Sequence, residues 1–369
     1  MMSIKALGNL GKSGASAKLV SHYYEDKAAS ADYYLNDKNG LLEWMGDGAQ
    51  ALGLVGVADG QDFRMALAGQ AVGNPVQNAG SEDRQMGWDA TFSAPKSVSV
   101  AWALADPDHK AFIEQSHKMA VDAAMDYLQD QATTRRGKEG KASEPVALIA
   151  ATVTHYTSRA GDPQLHTHVV IPNIGLRRDG TVGTVQSHSF YETRLAAGSL
   201  YQAELAYRMS EMGYAIENGV KGSFRLANVN LPLEQTFSKR GEQIKAVALE
   251  TGREGVEARA AITVATRPAK VKTSLVERES HWLEEAKAFS QIRDIERGAN
   301  FQSGQPSEAG LFDRIAEAAA VITESKSVFL EHDLIRETAK ISYGLYSAKT
   351  IRDAVVNAPL RDRVVVLDD

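Results

Sequence analysis

Cysteine is absent from all 369 residues, which excludes disulfides and any thiolate-ligated metal. Long apolar runs are absent too. No window approaches the roughly 18 apolar residues that a membrane span needs, and residues 1–20 hold lysines and glycines but no signal-peptide core. The expectation is a soluble chain made in the cytoplasm, without membrane insertion. A surplus of positive charge is missing: the formal net charge is −6, so composition alone argues mildly against a nucleic-acid partner. Two catalytic signatures are also lacking. Without a G-x-x-x-x-G-K-[ST] phosphate loop no ATPase activity is expected, and without a helical H-E-x-x-H pair a zinc-protease reading fails. Nor does the chain show the regular βαβ rhythm of a doubly wound fold.

What is present has the composition of a globular protein, 43% hydrophobic and 24% charged, on a chain long enough to bury a sizeable core. Charge is uneven. Arg135, Arg136, Lys138 and Lys141 cluster in a polar stretch, and Arg267, Lys270 and Lys272 form a second basic group. Binding responds to such patches, so the acidic total does not exclude DNA. Helical patterns are expected over 15–35, 62–71, 108–130 and 191–213, with Pro95 marking a helix start. Residues 44–54 read as a turn-rich stretch and 133–144 as a loop. Strands are expected at 88–92, 146–156 and 165–173, with a second hairpin turning on Asp179 and Gly180. Antiparallel strands flanked by helices define an α+β domain. Residues 298–310 have linker composition, and 311–323, 331–340 and 348–357 read as helices. The apolar run 364–367 near the end suggests a fragment of a longer protein.

The strongest local feature is His166-Thr167-His168 within a strand. Side chains alternate along a strand, so His166 and His168 share a face. His155 precedes them by eleven residues, near the end of the preceding strand, and a hairpin would bring it alongside. Three imidazoles on one sheet face can form a three-nitrogen metal site with open positions. The same spacing also suits partly exposed polar residues on a half-solvated sheet.

Tyrosine is concentrated near the start, where Tyr23-Tyr24 and Tyr33-Tyr34 place four of twelve tyrosines within twelve residues. Aromatic packing is the common use of such residues. Their polar surroundings, with His22, Glu25, Asp26 and Asp32, also fit a nucleophile. A phenol with a pKa of about 10 attacks phosphate only if that barrier is lowered. The resulting ester conserves the phosphodiester energy, so a strand can be rejoined without ATP.

In order along the chain, the tyrosine pairs are followed by Asp89 to Ser97 (DATFSAPKS), His155 to Arg159 (HYTSR), Asp162 to His168 (DPQLHTH), Tyr201 to Leu205 (YQAEL) and Phe237 to Arg240 (FSKR). This series resembles the MOBF class of conjugative relaxases, the TraI/TrwC type, within the HUH endonucleases. The likeness covers about residues 1–300. Its implied fold is a five-stranded, palm-like antiparallel sheet flanked by helices, with a small C-terminal helical, winged-helix-like segment. It divides the chain into a relaxase domain at 1–300, a linker at 301–310 and, at 311–369, the truncated start of a helicase-region domain.

The resemblance implies site-specific nicking and strand transfer at a plasmid origin of transfer through a 5′-phosphotyrosyl intermediate. Tyr23 then matches the nucleophile, beside Tyr24, and Tyr33 the tyrosine of a later transfer. The separation of the two pairs is slightly longer than the family's. His155, His166 and His168 match the ligands of a divalent metal, magnesium or manganese first, zinc or nickel as alternatives. Asp89 matches an acidic residue near the site, where it would accept a hydrogen bond from a ligand imidazole and fix its tautomer. Lys96, Arg159, Arg177, Arg178, Lys239, Arg240, Lys270 and Lys272 are candidate DNA contacts. The implied partners are single-stranded and hairpin origin DNA, other relaxosome proteins and a type IV secretion coupling protein, with translocation into the recipient cell. A rolling-circle replication initiator, a small-phosphoester metallohydrolase and a non-catalytic DNA-binding module are the competing readings.

Overall fold

Alternation along the strand Gly87–Ser93 sets the architecture. Trp88, Ala90 and Phe92 are buried, whereas Asp89, Thr91 and Ser93 between them are only half-buried, so the strand has a greasy face and a polar one. In the computed structural model this strand lies in a five-stranded antiparallel sheet, and the described residues are 1–8, 41–137, 141–252, 255–266, 275–289 and 307–357. The sheet consists of β1 (Met2–Ala6), β2 (Glu43–Met45), β3 (Gly87–Ser93), β4 (Ala150–Thr157) and β5 (Pro163–Pro172), in the spatial order β1-β3-β5-β4-β2. The fold is α+β, with β5 at the centre.

Helices cover the greasy face. They are α1 (Lys96–Leu104), α2 (Pro107–Asp130) and α3 (His188–Glu211). Asp106 caps α2 by accepting from His109 N, and Pro107 occupies the first turn, where its missing N–H costs nothing. Trp88 meets Phe190 edge-on at 5.4 Å, Phe92 meets Tyr201 at 5.4 Å, and Trp102 stacks on Tyr156 at 4.9 Å. These contacts place the main core between the sheet and α2–α3.

Trp282 of α5 (Leu275–Ala286), which follows α4 (Lys239–Thr251), adds an edge to the Trp102 cluster at 6.1 Å. Three further helices, α6 (Glu308–Thr323), α7 (Glu331–Ile341) and α8 (Ala348–Asn357), share the same core through Leu311, Ile315, Ile335 and Ile351. Glu204 of α3 accepts from Ala348 N at 2.9 Å, and Ser210 donates to Gly344 O at 2.7 Å.

On the polar face a smaller cluster (Leu42, Phe63, Leu67, Met86, Ala151, Val153 and Val170) covers one end of the sheet. The other end, with the histidines, stays half-buried.

Three sequence expectations need correcting. The stretch 44–54 is not merely turns: it supplies the edge strand β2 and a short helix, Asp47–Ala51. Its glycines misled because they separate elements rather than dissolve them, Gly46 (φ 97) turning the chain between strand and helix. The polar stretch 133–144 carries a hairpin, Thr133–Arg136 against Ala142–Pro145, held by Arg136 to Glu144 (3.0 Å) and Asp179 (2.6 Å). The expected helix at 15–35, most of the linker and the run 364–367 lie outside the described residues. The last helix trio begins at Glu308, capped by Ser307, rather than at 311.

Gly87 has φ 151, and a Cβ there would sit 2.2 Å from the carbonyl oxygen of Ile171 on β5. Gly87→Ala is expected to destabilise the fold by about 2–4 kcal/mol, since backbone must move to admit the methyl. Thermal unfolding checks this, and an unchanged Tm would refute it.

Candidate metal centre

Strand pairing puts the three histidines together. His166 lies directly across from His155, and His168 follows two residues along β5 on the same face. Their ring centroids are 5.2–5.4 Å apart, and one ligand nitrogen from each falls within 4.8 Å of the others. All three side chains are half-buried, near enough to solvent to admit a ligand.

Neighbours fix the ring orientations. His168 Nδ1 lies 2.9 Å from each oxygen of Asp89, so the N–H is assigned there and donates to the carboxylate. Thr91 Oγ1 donates to Asp89 Oδ1 at 3.2 Å and steadies the acceptor. His166 Nδ1 donates to the carbonyl of Gln164 at 2.9 Å. With Nδ1 carrying the proton in both rings, Nε2 is the lone-pair nitrogen, the form in which imidazole binds metals. This donor set fits a divalent cation: three neutral nitrogens on two strands, two of them oriented by an acceptor behind. Loss of the Asp89 carboxylate (Asp89→Asn) is expected to weaken metal affinity about 10–100-fold while leaving the triad in place. Calorimetric titration checks this, and wild-type affinity would contradict it.

The connection between β4 and β5 is pinned from several sides. Lys96 Nζ donates to Pro163 O at 2.8 Å; burial lowers its pKa to about 8, against the pull of Asp162 and Glu234. Asp162 is buried, which raises its carboxyl pKa, while Lys96 and Lys239 pull it back. Trp282 Nε1 donates to Gly161 O at 2.9 Å.

The structure thus gives several candidate DNA contacts internal work. Lys96 ties down the approach to β5. Arg177 is engaged with Glu144 (2.8 Å) and the carbonyl of Val182 (2.7 Å). Lys239 pairs with Glu285 at 2.8 Å, and Arg240 donates to the carbonyls of Thr263 and Thr266 at the end of the helix Val256–Ala265. Arg159 and Arg178 are exposed. Lys270, Lys272, Tyr23, Tyr24, Tyr33 and Tyr34 lie outside the described residues.

One feature behind the site has little sequence signal. His117 of α2, 1% exposed, bonds Tyr201 OH through Nδ1 (2.9 Å) and Thr167 Oγ1 through Nε2 (2.8 Å). Burial lowers its pKa to about 3, assisted by His166 and the amino terminus, so the ring is neutral. A lone histidine on a helix has no pattern to find it by; only the topology joins it to Thr167.

The TrwC relaxase family model matches residues 17–289. The multifunctional conjugation protein TraI of Escherichia coli is 31% identical over 351 residues, covering 88% of this chain and 19% of that protein. The chain therefore spans about a fifth of the length of the curated relatives it matches. Among solved structures, conjugative relaxase TrwC in complex with oriT DNA, in a copper-bound form, aligns with a TM-score of 0.69 at 30% identity, over 81% of this chain and 100% of that one. TrwC complexed with a 27-mer DNA comprising the recognition hairpin and the cleavage site aligns with a TM-score of 0.66 at 29% identity, again over 81% of this chain and 100% of that one.

An antiparallel sheet bearing three clustered histidines beside an aspartate is the frame of a metal-binding relaxase domain. The chain belongs to the TrwC relaxase family.

Proposed function

We propose that the chain nicks one DNA strand at an origin of transfer and moves it through a covalent 5′-phosphotyrosyl intermediate, initiating conjugative transfer. The observation that carries this reading is the triad, three imidazoles converging on one sheet face with two tautomers set by Asp89 and the Gln164 carbonyl. His155, His166 and His168 would hold a divalent cation, which supplies Lewis-acid stabilisation of negative charge on a phosphate. We assign magnesium or manganese first, with zinc or nickel, favoured by imidazole ligands, as alternatives.

In the reaction, the Tyr23 phenol gives up its proton and its oxygen forms a bond to phosphorus, the bond from phosphorus to the 3′ oxygen breaks, and that oxygen takes up a proton and leaves as a hydroxyl, so that no net proton is gained or lost. Asp89 holds His168 in the orientation the site needs. Tyr33 serves a second transfer. Single-stranded and hairpin DNA is the substrate, with exposed Arg159 and Arg178 as contact candidates. The chain acts in the donor cytoplasm with relaxosome proteins and a secretion coupling protein and accompanies the DNA into the recipient. Residues 1–300 form the relaxase domain, and the helices α6–α8 pack against its α3 through the shared core.

The test is incubation with single-stranded origin DNA labelled on either side of the cut, followed by a denaturing gel. The expected result is a free 3′-hydroxyl fragment, with the other fragment retained on protein. Release of both fragments would mean hydrolysis and would overturn the proposal.

A further inference from the structure

We infer that His117, acting through Thr167, is a positioning residue for the metal-binding histidines, an inference that rests on the metal reading of the triad. Thr167 sits between His166 and His168, and strand alternation sends its side chain through to the opposite face. There its hydroxyl meets His117 Nε2 at 2.8 Å and Thr154 Oγ1 at 2.8 Å. Thr154 is the direct cross-strand partner of Thr167 and immediately precedes His155. Tyr201 OH holds the other His117 nitrogen at 2.9 Å. One hydrogen-bonded chain therefore runs from α3 through α2 into β5 and β4, and its strand anchors are the residues adjoining all three ligands.

Backbone ladders fix which residues face each other but leave the strands free to tilt against the helices. A metal site tolerates little of that freedom, since its bond lengths are set to within about 0.2 Å. The His117 ring spans the gap from helix to sheet as a strut of fixed length. A neutral imidazole donates at one nitrogen and accepts at the other, and the hydroxyls of Tyr201 and Thr167 can each play the complementary part. Apolar packing would fill the same space without fixing this distance. Phe92, Leu165 and Leu200 beside the chain are fully buried, whereas His117, Thr154 and Thr167 also line a cavity of about 260 Å³ between α2 and the sheet, so the bonds hold a distance that packing there leaves open.

The test is calorimetric titration of the full chain with Ni²⁺, an ion suited to imidazole ligands. Thr167→Val keeps the side-chain shape and removes the hydroxyl, and His117→Phe cuts the same bond from the other end. Each is expected to weaken Ni²⁺ binding about tenfold, within the range for residues that support a ligand from behind. Thr167→Ser, which keeps the hydroxyl, should stay within about twofold of wild type on the same scale. Thr134→Val, at another fully buried hydroxyl that donates to Thr184 O, controls for stability alone: its Tm should fall with no change in Ni²⁺ affinity. Wild-type affinity in either folded variant, whatever its Tm, would overturn the inference. Equal Ni²⁺ affinity in wild type and His168→Ala would instead sink the metal reading of the triad itself.

Discussion

Replacing Tyr23 with Phe is expected to abolish the covalent protein–DNA adduct while oligonucleotide affinity stays within a few-fold of wild type. The substitution keeps the phenyl ring and removes only the attacking oxygen. With Tyr23 as the nucleophile, its ring then has no atom to bond to phosphorus, so the loss of adduct should exceed about 10³-fold. A denaturing gel reads the adduct and fluorescence anisotropy reads binding. An adduct persisting at wild-type level would move the nucleophile to Tyr24 or Tyr33, which peptide mapping of the adduct would identify. Loss of adduct together with loss of binding would indicate a role in DNA recognition instead.

The second large effect concerns the triad. Alanine at His155, His166 or His168 is expected to lower the nicking rate by about 10²–10³, the scale of losing one preorganised stabiliser of transition-state charge. The three substitutions should not add, because all remove the same bound cation. DNA affinity should change little, since backbone contacts outside the site supply most of it. Single-turnover nicking measured beside anisotropy separates the two quantities. If the single variants retained full rate, the histidines would be surface polar residues of the sheet and no more.

How much of this was legible in the sequence differs from residue to residue. The pairing of His166 with His168 was readable because a strand's period of two leaves no choice of face. His155 was readable once the hairpin through Gly161, Asp162 and Pro163 was recognised. The flanking helices were legible from their periodicity, α2 expected from 108 and α3 from 191 against observed starts at Pro107 and His188.

Other features depend on tertiary context. The edge strand β2 has three residues and pairs only because β4 lies beside it, so no local pattern announces it. The hairpin at 133–145 is held by Arg136 and by Glu144, which also binds Arg177, residues whose charges read in isolation as a solvated loop or a DNA patch. Lys96 shows the same limit: a lysine in a motif suggests a phosphate contact, yet its ammonium is turned inward to Pro163. His117 could not have been tied to the site from sequence, because its link to Thr167 spans fifty residues and appears only once α2 lies across the sheet.

The central claim is that a cation gathered by these three imidazoles is needed for the tyrosine to attack the phosphate. The most direct measurement is adduct yield on labelled single-stranded origin DNA after chelation and stepwise return of a divalent ion. The account expects no adduct after chelation, recovery that saturates at one ion per chain, and no recovery in His166→Ala at the same concentrations. Undiminished adduct formation by the fully chelated wild-type chain would contradict it.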